Sequence, residues 1–584
     1  MYKHLIVVFA GVFTGGICTL SAQDDTNIGT ETVTVVKPYS PAVSDAFKIR
    51  PVPQLNDSIV LQKKEIEYQI YSVPVASTFS PAKGKASQVK KAAPEKLFNS
   101  YASVGLGNFN NALADFYTSR DLYRGNERLD FGLNHRSSRG DIDNTPLDTD
   151  YYNTRLEAAY SNRDSDRSWG VDIGLQHQLY NWYGLPEGVF DEATIAAMDE
   201  KQQYYSAEAG AQIDLEDSFF SRGELRYRRF WDAVDSGENR VILAPSFAIP
   251  LNEENLVIKV RADYVGGDFT NANVDNIQNT PGIAYGLFQA GINPGLLIER
   301  EGLSINLGAH IVYGLDTERS DTNFYIYPAV TAAYELLDEA AIAYAGVEGG
   351  LEQNSYYDFV SLNPFVSPTL DIQPTDRQYD AYVGVKGQLF SNVSYNIRGS
   401  YKAENRRPLF LLNPENTFRD DEKAYYYGNS FGLFYDDIKT LGLFGELNLT
   451  VNRNFSLGLN ATVNDYNTET GNTAWNLPNV EGSLFLDYQI GDKWYLGSQL
   501  FYVGEREDLA RVAVQNVAPA DYPATLLVLD SYFDANAHIG YRFTEQFSLF
   551  VKAANLANNQ YQRWANFRVQ SLQVLAGISY KFDL

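Results

Sequence analysis

The chain of 584 residues has almost no sulfur, with one Cys and two Met. Its single cysteine, Cys18, lies among the first 22 residues, so everything after them has no thiol, disulfide or cysteine-held metal. Long apolar runs are missing too. Past residue 22, no stretch approaches the roughly 18 apolar residues that suggest a membrane helix. This excludes a helical membrane protein but not a membrane β-barrel, whose alternating rows average to a soluble value; mean hydropathy here is −0.30. Basic charge is scarce: 47 Lys and Arg stand against 73 Asp and Glu. Nucleic-acid binding is therefore excluded, because it requires a basic footprint over the phosphates. No Gly-rich phosphate loop precedes a helix, so nucleotide chemistry has no support and no cofactor is expected.

What is present is aromatic and strand-prone: 41 Tyr, 33 Phe and 44 Gly. Residues 1–22 carry a basic Lys3, an apolar stretch from Leu5 to Leu20, then Ser21 and Ala22 before Gln23, Asp24 and Asp25. They read as a secretory signal peptide. Its removal, with Lys3, leaves 46 basic against 73 acidic residues, a net charge of −27. Residues 23–96, dotted with Pro81, Pro94 and several Lys, are expected to form an N-terminal periplasmic segment and linker. From 97 to 584 the texture is uniform. Leu441, Leu443, Leu447, Leu449 and Val451 alternate with Gly442, Glu446, Asn448, Thr450 and Asn452. One face is apolar and the other polar, with period two.

Twenty-two such segments are predicted between 99 and 583, among them 239–250, 393–405 and 439–452. Short turns such as 216–218 and 491–493 alternate strictly with long loops near 181–202, 268–282, 353–376, 406–438 and 506–529. Soluble sheet proteins average five or six residues per strand, whereas these segments run to about 11–15. A tilted strand needs about 9–11 to cross a bilayer. The expected fold is all-β: a transmembrane antiparallel barrel of about 22 strands over 97–584, in contact with outer-membrane lipid. Its lumen is expected to be lined by Arg155, Glu157, Glu224, Arg226, Arg228, Lys259, Arg261, Asp263, His310, Arg398, Lys402, His538 and Arg542. Placing an Arg or Lys in the lipid midplane would cost about 2–4 kcal/mol.

The C-terminal stretch Asn555-Leu556-Ala557-Asn558-Asn559-Gln560-Tyr561, followed by Gly577-Ile578-Ser579-Tyr580-Lys581-Phe582, resembles the last two strands of TonB-dependent receptors. The resemblance covers about 97–584 and implies a 22-stranded transporter of the outer membrane of a Gram-negative bacterium. Two departures stand out: Asp583 and Leu584 follow the closing Phe582, and the 74 residues from 23 to 96 are too few for the family's full plug. The chain is thus similar to a plugless, Bacteroidetes-type barrel of this family. Within that segment, Glu31-Thr32-Val33-Thr34-Val35-Val36 looks like a TonB box, the extended segment that adds to a strand of TonB.

Other constellations have bland readings. Asp141, Asp143, Asp148 and Asp150 have the spacing of a calcium loop but lack its central Gly and closing Glu; they read as solvated. His135, His177, His310 and His538 are far apart, so neither a metal site nor an enzyme is expected. The clusters Tyr151-Tyr152, Tyr180 to Tyr183, Tyr356-Tyr357 and Tyr425 to Tyr427 are expected to form an interfacial belt, with ligand stacking as the alternative. The functional expectation is transport of polar solutes by a porin-like or TonB-linked barrel. The alternative is a non-transporting barrel subunit that scaffolds other outer-membrane or periplasmic proteins for export or assembly.

Overall fold

The computed structural model describes residues 96–122, 125–140, 142–216, 218–251, 254–270, 282–417, 423–452, 454–515 and 517–584. The signal peptide, the 23–95 stretch and the 31–36 run lie outside them. Twenty-three strands hydrogen-bond into one antiparallel sheet. Two of them, Gly237–Leu243 and Ser246–Leu251, are halves of a single wall strand, since both pair with Phe220–Asp232 on one side and Glu254–Phe269 on the other. Pro245, which has no N–H for the ladder, lies at the break between them. The wall therefore has 22 strands. It closes where the first, Ser100–Gly107, pairs with the last, Gln573–Phe582.

Closure leaves the barrel wall without an edge, and the two faces of each wall strand diverge in chemistry. Leu441 and Leu443 are 59% and 56% exposed on the outer face, as are Ile397 and Val383 on neighbouring strands. Apolar side chains left open in this regular row have lipid as their solvent. Near one rim the outer face carries rings: Tyr152, His177, Tyr205 and Trp231 form a row across four adjacent strands, His177 stacked on Tyr205 at 4.5 Å and Tyr205 on Trp231 at 5.5 Å. Such a row suits the headgroup layer.

Both ends of the barrel chain sit at the rim made of short turns, for example 164–166, 216–219 and 491–493. The opposite rim carries the long loops 182–200, 353–374, 413–430, 504–531 and 555–572. Alternation is not strict, however. Three connections at the long-loop rim, 108–111, 233–236 and 317–320, are as tight as the turns opposite.

The predicted loop 406–438 is also corrected. Strands Val393–Leu412 and Phe431–Asn452 run well into it. A register shift between Glu404 and Arg407, with Arg406 at φ +52°, breaks the two-residue alternation there. Beyond the bulge Leu409, Phe410, Leu411 and Leu412 are consecutive apolar residues because both faces of this arm are covered.

Candidate functional site

All thirteen residues expected to line the lumen lie on the strand face opposite the exposed apolar row. Most are held in pairs of opposite sign. Arg155 is paired with Glu157, Arg226 with Glu224 at 2.6 Å and Asp172 at 3.6 Å, and Arg398 with Asp380 at 3.0 Å. Asp263 accepts from Arg261 at 2.8 Å and Arg240 at 3.0 Å. Lys402 is in register with Asp380, and Lys259 with Asn293. Nδ1 of His310 is 2.8 Å from the Gly349 carbonyl; His538 and Arg542 lie beside the Tyr495 ring. The exposed pairs among these, such as Arg226 with Glu224, add little stability. Their effect is to leave the inner face polar yet nearly charge-balanced. His135 and His177 lie on the outer face instead, His135 bonded to Thr154 and Ser137. Asp143 accepts from Gln560 and Asp150 from Asn181.

Above this row the long loops fold inward and meet. Loops 182–200 and 413–430 leave the ring ten wall strands apart, nearly opposite one another. They join through an Asp199 to Lys423 bridge, the Ala424 N–H donating to the Asp199 carbonyl at 3.0 Å, and Trp182 packed edge-on to Tyr425 at 5.0 Å. Loop 353–374 brings Phe365 onto Phe567 of loop 555–572, the rings stacked 4.0 Å apart, with Tyr183 edge-on to both. Glu415 and Val512 join the 413–430 and 504–531 loops. Trp182, Tyr356, Tyr425 and Phe431 are fully buried. Each such side chain contributes roughly 1.5–3 kcal/mol by leaving water. Together they make an apolar cap across the long-loop mouth.

This corrects the reading of the tyrosine clusters as an interfacial belt. Tyr152 does join the outer row, but Tyr183, Tyr356 and Tyr425 to Tyr427 are cap residues. Trp182, inside the Tyr180 to Tyr183 cluster, is a cap residue too, and sequence reasoning missed Phe365 and Phe567, for which only the density of rings in these loops is a signal.

The cap is fastened to the wall by buried polar bonds. Helix Tyr356–Leu362 starts at Ser355, which accepts from the Asp358 N–H at 3.2 Å. The Tyr356 N–H donates to Glu238 at 2.6 Å and its hydroxyl to Asp232 at 2.8 Å. Glu238 also accepts from Tyr285 at 2.7 Å and faces Arg228 at 3.5 Å. Further round, Asp508 in the cap hairpin strand Arg506–Arg511 accepts the Leu412 N–H at 3.0 Å and Asn476 Nδ2 at 2.7 Å.

Burial pushes the Asp508 carboxyl up to about 6, against three hydrogen bonds that favour the anion. A raised carboxyl favours the protonated folded form, so its stabilisation is full below the ordinary pKa of 3.8 and is lost as pH rises through about 6. Asp508→Asn, which mimics the protonated state, is expected to match the wild type near pH 4. Near pH 7 it should tighten the cap by about 3 kcal/mol. Protease resistance of the loops, followed against pH in both proteins, measures this; parallel curves would refute it.

No protein-family profile matches the chain, and no curated protein is similar to it in sequence. Solved structures are similar in fold. The ferripyoverdine receptor of the outer membrane of Pseudomonas aeruginosa superposes with a TM-score of 0.60 at 15% identity, over 84% of this chain and 73% of that one. The siderophore receptor PirA of Acinetobacter baumannii gives 0.61 at 13%, over 84% and 81%. The ferric enterobactin receptor of P. aeruginosa gives 0.58 at 13%, over 83% and 80%. At such identities the likeness is one of fold. The chain thus has the architecture of outer-membrane siderophore receptors, a closed antiparallel barrel of 22 strands.

Proposed function

We propose that the protein is an outer-membrane transporter that passes polar solutes through a gated lumen, in the manner of TonB-dependent receptors. The observation that carries this reading is the polar, charge-balanced inner row roofed by an apolar cap. Such a lumen suits hydrated solutes without strong ion selectivity, and such a cap keeps the mouth shut at rest. The thirteen inner-row residues are its lining, and the long-loop rim is its extracellular face. We place the protein among plugless, Bacteroidetes-type barrels, with the 31–36 run as its contact for TonB.

In cells, uptake of polar solutes of graded size should require the protein and should fall to background in Val33→Pro and Val35→Pro, which block strand addition. Uptake that is the same with and without the protein would refute transport. Loss of uptake in the null strain but not in the proline variants would refute the TonB contact alone.

A second reading, a subunit scaffolding an export or assembly complex, is favoured by Leu526 and Val528. These are 49% and 51% exposed on the cap hairpin. Purification as a stoichiometric complex from native membranes would support it.

A further inference from the structure

Beneath one side of the cap, a pocket of about 370 Å³ opens between the wall and the 353–374 loop. Its wall comes from strands Ile283–Arg300, Leu303–Asp316 and Asp321–Leu337, with Gln373 and Arg406 opposite. Three features define what fits there. First, the lining charges balance: Arg319 and Arg406 against Asp316 and Asp321. Arg319 is already engaged by Asp316 at 3.4 Å and Asp371 at 2.5 Å, so a charged ligand would have to displace a carboxylate.

Second, donors and acceptors are interleaved. Asp321, Asn323 and Gln373 offer acceptor oxygens, while Tyr325, Arg319 and Arg406 offer donors. Among the described residues the Gln289 amide nitrogen, on a side chain only 9% exposed, and Arg406 Nε have no hydrogen-bond partner. Third, Tyr325 is half-buried, stacked on Tyr327 at 5.7 Å and 9°, and held by Arg406 Nη2 donating to its hydroxyl at 3.3 Å. A fixed aromatic plane beside interleaved polar groups matches a ring that is apolar on its face and hydroxylated on its edge.

We propose that this pocket binds a neutral, hydroxyl-rich ligand of the saccharide class, roughly the size of a disaccharide. Tyr325 stacks on the sugar face, Asp321 and Gln373 accept from its hydroxyls, and Arg406 donates to them. Binding here does not depend on passage through the lumen, so it can be tested without transport.

The purified full chain, in a detergent without a sugar headgroup, would be titrated calorimetrically with maltose, cellobiose and lactose, and with glucuronate as the anionic probe. Saturable binding of at least one neutral disaccharide is expected. It should weaken at least about tenfold in Tyr325→Ala and in Asp321→Ala, each with the wild-type circular dichroism of the wall. Failure of all three disaccharides would overturn the proposal. So would binding that both variants leave unchanged, or binding of glucuronate in preference to every neutral sugar.

Discussion

Replacing residues 355–372 by a short Gly-Ser linker is expected to turn a closed barrel into an open channel, raising its planar-bilayer conductance at least about tenfold. The excised loop supplies Tyr356, Phe359, Phe365, Val366, Leu370 and Ile372 to the main aromatic cluster of the cap. Without them Phe567 loses its stacked partner, and Tyr204, Phe230 and Phe269 lose the ring that covers them. Below lies the polar inner row, so the apolar residues left on the wall, Phe230 and Phe269 among them, no longer meet a partner across the mouth and cannot by themselves exclude ions. The excision does not strain the wall. Asn354 Nδ2 donates to the Gln373 carbonyl at 2.7 Å, so the two ends of the excised segment are already neighbours. The strand pairs of Ala341–Glu352 and Thr375–Phe390 stay intact. Unchanged conductance in a variant with wild-type circular dichroism would mean that the cap does not close the pore.

Glu238→Ala should loosen the same loop without removing it. Glu238 is fully buried, and three donors converge on it: the Tyr285 hydroxyl, the Tyr356 N–H and the Arg228 guanidinium. Removing the carboxylate leaves all three facing a small void. Leaving a buried donor unpaired costs about 1–3 kcal/mol, and here Tyr285 and Tyr356 supply two. That is comparable to the burial of one or two of the cap's rings. Glu238→Gln retains an acceptor for the Tyr285 and Tyr356 donors and loses only the charge facing Arg228, which is also 3.7 Å from Asp358. The alanine variant should therefore become protease-sensitive within 353–374 while the glutamine variant stays close to wild type. Equal resistance in both would remove Glu238 as the fastening point.

The wall was legible because a strand with lipid on one side and water on the other must alternate. That single constraint recovers all 22 strands, and it reads 239–250 straight through the break at Pro245. It fails where its premise fails. Past the bulge at Arg406 both faces of the arm are covered, alternation stops, and Leu409 to Leu412 look like a loop. The cap was not legible at all. Its contacts join residues such as Trp182 and Tyr425, or Tyr183 and Phe567, which are hundreds of positions apart and share no period. The run Tyr425 to Tyr427 was visible, but its rings could as well have faced lipid. The inner row was legible in kind, though its partners Asp172, Asp380 and Arg240 became identifiable only once register was fixed.

The seam between Ser100–Gly107 and Gln573–Phe582 bears on how the molecule is made. The Asn99 N–H reaches the Asp583 carboxylate across 484 positions of sequence. Every other wall pairing joins strands that are neighbours in the chain and can form as hairpins, one after another. The last pairing cannot begin until the C-terminal strand has been delivered, and it bears the largest loop-closure entropy in the protein. Until then two raw β-edges are open at once, each a template for the wrong partner. Ring closure should thus be the slow, aggregation-exposed step of assembly, and the first strand made must wait longest for its mate.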